Sequence, residues 1–114
     1  MRRLDNGWLA LSVAGWLVAA IGAGGQAQAD TRMQALGQHL AGECTSCHRI
    51  DGVDNGVPSI TGWPADDFVA TMKFYSVGAR DNPVMKSVTE SLDDAQLAAL
   101  AAYFATLSPP ARKK

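Results

Sequence analysis

The chain has 114 residues, eleven acidic and ten basic, for a net charge of −1 at pH 7. That balance excludes the basic footprint of a nucleic-acid-binding protein, and the length allows a single core of modest size. Two cysteines, Cys44 and Cys47, limit the chain to one cysteine-built site.

Residues 1–29 read as a secretory signal outside the fold. Arg2 and Arg3 form a charged start, Leu9 to Ile21 is mostly apolar, and Ala27-Gln28-Ala29 is a small-x-small cleavage site before Asp30. An uncleaved membrane anchor is the alternative. The apolar run is short for a spanning helix, and Gly22, Gly24 and Gly25 weaken its end. Cleavage after Ala29 is therefore expected, leaving no transmembrane segment. From Asp30 onward ten acidic residues face eight basic ones, three of them in the tail. Such an acidic body suits a basic or mixed-charge surface on a partner protein.

A first helix is expected from Thr31 to Gly42, with Thr31 or Asp30 as its cap. Met33, Leu36, Gly37, Leu40 and Cys44 fall at helical spacing on one face. Gly37 and Ala41 are small enough to admit another helix at close range.

Cys44-Thr45-Ser46-Cys47-His48 follows directly and carries the chemistry. Two thiols three apart on one turn of chain can reach the two vinyl groups on one haem edge, and the next residue supplies an axial imidazole. The competing readings are weaker. A Cys44–Cys47 disulfide leaves His48 unexplained, and a thioredoxin-type pair needs a βαβ pattern that is missing. Zinc needs about four ligands, and the second histidine, His39, lies upstream of the pair. One covalent haem is expected. A chain this short lacks core, and a buried haem would supply it.

Arg49 to Trp63 reads as a loop, rich in Gly, Asp, Asn, Ser and Pro. Within it Pro58 and Ile60 can line the His48 side of the haem. A middle helix is expected with Pro64 at its first position and Asp66 and Asp67 at its positive end. Its inner face is Phe68, Val69, Met72 and Tyr75 or Ser76, and Gly78 ends it. A second loop, Ala79 to Val84, has Met85 at its far end, with a short helical turn over Lys86–Ser91. The last helix starts at Asp93, with Gln96 completing a capping box. Leu97, Leu100, Ala101, Phe104 and Leu107 form its stripe. Ser108-Pro109-Pro110 stops it, so the folded domain is placed at 30–108, with a basic tail at 109–114. No strand pattern or repeat is visible.

The candidates for the second axial ligand are Met33, His39, Met72 and Met85. The first two lie on the helix leading into Cys44 and are too close in sequence to cross to the opposite face. Met72 sits on an inner helical stripe, where methionine is usually core. Met85 is preferred, because its loop is far enough from His48 to pass around the ring.

In this order of elements the chain resembles the class I c-type cytochromes. It is closest to the monohaem domains in the haem subunit of flavocytochrome c sulfide dehydrogenases and related small diffusible cytochromes. The resemblance rests on the haem motif and on Val57-Pro58-Ser59-Ile60-Thr61-Gly62, Tyr75-Ser76-Val77-Gly78-Ala79-Arg80, Val84-Met85, Leu92-Asp93-Asp94 and Leu100-Ala101-Ala102-Tyr103-Phe104-Ala105. It implies an all-α fold, three main helices and loops wrapped around one covalent haem c. Cys44 and Cys47 would carry the thioethers, and His48 and Met85 would ligate the iron. The Pro58 carbonyl would accept a hydrogen bond from the far nitrogen of His48. The first and last helices would cross near right angles, with Gly37 or Ala41 meeting Tyr103 or Phe104. Two departures stand out: Arg49 where a small residue is usual after the histidine, and Leu40 where an aromatic often precedes the first cysteine.

Trp63, Tyr75, Lys73 and Arg80 are candidates to pair with the haem propionates, Arg80 ahead of Lys73. The resemblance also implies a periplasmic setting, since bacterial haem attachment occurs outside the cytoplasmic membrane. The expected function is one-electron transfer to and from redox partner proteins, with no catalytic residues of its own. One alternative is the haem subunit of a flavoprotein sulfide dehydrogenase complex, relaying electrons between a flavoprotein subunit and a terminal oxidoreductase. Another is a ligand-binding or peroxidase-like haem, which requires an open sixth position.

Overall fold

The computed structural model describes residues 23–109, and within them the fold is helical, with no strand. The signal sequence through Gly22 and the basic residues of the tail lie outside the described residues. Five helices follow in order: α1 Ala23–Leu40, α2 Gly42–Thr45, α3 Ala65–Ser76, α4 Pro83–Glu90 and α5 Asp94–Ala105. The three expected helices are present, the short turn expected over Lys86–Ser91 falls within the longer α4, and α2 is added to them.

α5 is the element against which the others pack. It touches both α1 and α3, and α3 also holds α4. Its stripe is buried as expected: Leu97, Leu100, Ala101 and Phe104 are each at most 3% exposed, while Leu107 at the end is half-buried. The Phe104 ring stacks on Phe68 of α3, with centroids 5.6 Å apart, and Tyr103 meets Phe104 edge-on. Asp93 starts the helix with the expected capping box. Its Oδ1 accepts from the Gln96 amide at 2.8 Å, and its own amide donates to Gln96 Oε1 at 2.9 Å.

α1 differs from its sequence reading. It begins at Ala23 rather than near Thr31, and Thr31 donates back to the Ala27 carbonyl instead of capping. The helix runs through that point in spite of Gly24 and Gly25. The expected apolar face is also only partly used. Gly37 is buried, but Met33 and Leu36 are 38% and 43% exposed. Gly37 is the place of closest approach to α5: a Cβ there would lie 2.0 Å from the Ala99 carbonyl oxygen and 2.7 Å from Tyr103 Cβ. The contact of Gly37 with Tyr103 is the one the resemblance implied.

Pro64 is not the first helical residue of α3. It stands at the N-cap with ψ 136°, and its carbonyl accepts from the Phe68 amide. Met85 is not in a loop: α4 starts two residues earlier, because Asn82 caps it and Pro83 supplies a preset first position. Lys86 and Glu90 pair one turn apart on its outer face.

The loop between α2 and α3 is tied to the end of α5. The Gly62 amide donates to the Phe104 carbonyl at 2.9 Å. Gly62 adopts φ +71°, and a Cβ there would fall within 2.9 Å of Pro109, so only glycine fits. Just before it, Ser59 and the buried Thr61 share a hydroxyl–hydroxyl hydrogen bond of 3.0 Å.

Gly37→Ala forces α1 and α5 apart where backbone meets backbone. We expect it to lower stability by about 3 kcal/mol, the cost of overpacking a rigid contact, read from denaturant unfolding of the haem-loaded protein. An unchanged midpoint would refute this account of the crossing.

Candidate haem site

The helical turn of α2 continues through the cysteine motif. Amides of Cys44 and Thr45 donate to the Ala41 carbonyl, and those of Cys47 and His48 donate to the Cys44 carbonyl at 3.2 and 2.8 Å. The wound turn presents both thiols to one side with the imidazole one turn on. Cys44 is half-buried and Cys47 exposed, and no disulfide joins them. Burial, with a smaller contribution from the Glu43 charge, pushes the Cys44 thiol above its ordinary range.

His48 is 9% exposed. Its Nδ1 lies 2.6 Å from the Pro58 carbonyl oxygen. A carbonyl only accepts, so Nδ1 carries the proton and Nε2 keeps its lone pair. This is the orientation a metal-ligating imidazole needs, with the second nitrogen fixed from behind.

Three adjoining cavities surround this imidazole. His48 and Met85 are the two residues that wall all three. The first cavity is strongly apolar, closed by Cys44, Cys47, Ile60, Phe68, Met72 and Leu100 together with α4. The second lies away from the cysteines, among Pro58, Trp63, Tyr75 and Arg80. The third opens past Cys47, Val57, Pro58 and Val84. All seven predicted site residues, Cys44, Cys47, His48, Pro58, Trp63, Arg80 and Met85, are thus brought to one place. Met33 and His39 stand on exposed faces of α1 and line none of these cavities. Met72 does line two of them, but it is 6% exposed and belongs to the core cluster.

Lys73 leaves the site. It pairs with Asp94 at 3.1 Å across α3 and α5, on the solvated outside of the molecule. Arg80 is itself exposed, but it lines the second cavity with its guanidinium 4.8 Å from the centre of the Tyr75 ring. Arg49, unusual after the histidine, is engaged by Asp51. That hydrogen bond is the main cause holding the Asp51 carboxyl down at about 2, helped by the Val53 amide. Leu40, where an aromatic is more usual, packs half-buried against the core cluster.

Sequence reasoning missed Val88 and Leu92 as cavity wall. For Val88 the signal was present in the spacing: it lies three residues after Met85, on the same helical face, whereas Leu92 follows the end of α4. That signal becomes legible once α4 is known to begin at Pro83.

The cytochrome c family model matches residues 34–108 of this chain. The chain belongs to the cytochrome c family. The match spans the second half of α1 through the end of α5, which is the helical domain described above. A relative from Thiomonas intermedia (strain K12), named a thiosulfate dehydrogenase electron acceptor, is 35% identical over 72 residues. That stretch is 60% of this chain and 33% of the relative, so the chain spans about a third of the length of that protein. Family membership gives the chain the class I fold and one covalent haem c. The site suits that group by its own chemistry: two thiols at one edge, an imidazole with a directed lone pair, and an apolar wall of the size that buries a cofactor. Among the described residues, no helix is long and apolar enough to cross a membrane.

Proposed function

We propose that this cytochrome is an exported one-electron carrier whose iron is held by His48 and Met85. The observation that carries the reading is the shared position of these two side chains, which alone border every cavity of the site. When bound, the haem supplies a one-electron iron couple. The chain's residues set its conditions. His48 is held by Pro58 and cannot rotate away. A thioether from Met85 would favour the reduced iron and, as a second protein ligand, would leave no place for a substrate or a diatomic ligand. Such fixed ligation costs little rearrangement when an electron arrives or leaves, which suits a carrier. Neither a nucleophile with a base nor an open position supports the peroxidase-like alternative.

Arg80 carries the propionate role in this reading. Among the residues lining these cavities it is the one permanent cation, and its cavity contains neither cysteine. Thioethers at Cys44 and Cys47 would fix the vinyl edge, and Arg80, Tyr75 and Trp63 would then be placed to hold the acidic edge.

The physiological partner is a protein that hands over or takes up single electrons. The name of the Thiomonas relative points to a dehydrogenase of a reduced sulfur compound as donor. Residues 1–29 support export, and removal of that segment would leave Asp30 and Thr31 at the start of α1, acidic at the positive end of the helix dipole.

Met85→Ala should abolish the sulfur-to-iron charge-transfer band at the red edge of the oxidised spectrum and lower the reduction potential by roughly 0.1 V or more, within the span that axial ligands command. The reduced variant should also bind carbon monoxide quickly at neutral pH. A surviving band, or rapid carbon monoxide binding by the unsubstituted protein, defeats the ligand assignment. Arg80→Gln removes a positive charge beside the haem and should lower the potential by roughly tens of millivolts; no change would return Arg80 to the status of a surface residue stacked on Tyr75. Intact mass of the protein from its native host should correspond to a chain starting at Asp30 plus one haem, and a mass that retains residues 1–29 would reject cleavage.

A further inference from the structure

α4 has eight residues, and Met85 is the third. A helix this short does not hold itself together, and its first turn is its weakest part, because those amides have no partner inside the helix. In this chain the weak turn carries the residue that borders all three cavities. Its side chain is also the most flexible of the apolar ones. If the turn unwinds, the thioether moves with the backbone.

The Met85 backbone is gripped from both sides. Its amide donates to Asn82 Oδ1 at 3.0 Å. Its carbonyl accepts from Thr89 Oγ1 at 2.8 Å, and the same hydroxyl reaches the Lys86 carbonyl at 3.1 Å. Thr89 is 1% exposed, so its hydroxyl has no water to fall back on. Its branched side chain has few rotamers to lose. α2 and α3, by contrast, start without any side-chain cap, while α5 has its own capping box.

We propose that Asn82 and Thr89 are positioning residues for the methionine ligand: they keep the first turn of α4 wound and so hold the sulfur in place and the sixth position shut. This rests on the reading that Met85 ligates the iron. It adds that closure of the position is set by two side chains that are not iron ligands, and that its leak rate can be tuned without altering either ligand.

The test uses the haem-loaded full chain in its oxidised form, with cyanide as probe. Cyanide enters only when the sulfur is off, so its binding rate reports the population of the unlatched turn. Asn82→Ala and Thr89→Val should each speed cyanide binding about fivefold, the factor that a typical lost cap or buried hydrogen bond represents. Asn82→Asp and Thr89→Ser keep an oxygen in place and should restore the slow rate. Asp93→Ala removes a cap of the same kind from α5; it should lower the unfolding midpoint comparably while leaving the cyanide rate unchanged. Should Asn82→Ala not take up haem, the Thr89→Val and Thr89→Ser pair decides alone. Rates equal to that of the unsubstituted protein in Asn82→Ala and Thr89→Val, or an equal acceleration by Asp93→Ala, overturn the proposal. Absence of the sulfur-to-iron band in the unsubstituted protein overturns instead the assignment of Met85, and the proposal with it.

Discussion

The hydrogen bond between His48 Nδ1 and the Pro58 carbonyl joins the two halves of the site. On one side of it is a wound turn that can exist with local contacts only. On the other is a loop whose shape depends on the rest of the fold. Without the bond the imidazole could spin about its Cβ–Cγ axis and offer either nitrogen. With it, one nitrogen is committed to the protein and the other to the cavity. The bond in turn needs Pro58 in place, which needs Thr61 and Ser59 folded against each other and Gly62 held on α5. Positioning of one imidazole therefore draws on residues from three parts of the chain.

The cavity walls follow a division of labour. α5 and α3 supply the aromatic and aliphatic floor through Phe68, Met72 and Leu100, while α4 supplies the side that bears Met85. The polar end, with Arg80 over Tyr75, comes from the end of α3 and the turn after it. A cofactor seated here is apolar in its middle, sulfur-linked at one edge and charged at the other. The protein matches that gradient with residues whose burial rises and falls along the same direction. Charge outside the site is spent on short surface pairs, Lys73 with Asp94 and Lys86 with Glu90, which contribute little stability individually.

Much of this was legible in the sequence, for reasons that can be named. The cysteine motif works through spacing alone, and the Asp93 capping box is a local device that tertiary structure leaves untouched. What escaped depended on choosing between two local meanings. Asn82-Pro83 is both a turn dipeptide and a cap followed by a first helical position, and only packing of α4 against α3 selects the second. Pro64 has a similar ambiguity of one residue. At α1 the apolar spacing of Met33 and Leu36 promised a buried face. Burial needs a facing surface, and among the described residues α5 meets α1 most closely at Gly37. Lys73 was a propionate candidate by charge, but its place on the outer side of α3 put Asp94 within reach first.

The close seating of Gly62 on the end of α5 has a consequence for how the molecule comes into being. The segment that orients the imidazole finds its anchor only in the last helix of the chain. During synthesis the cysteines are made some sixty residues before that anchor. Until the C-terminal helix docks, the thiols and the imidazole therefore belong to a chain without a finished pocket.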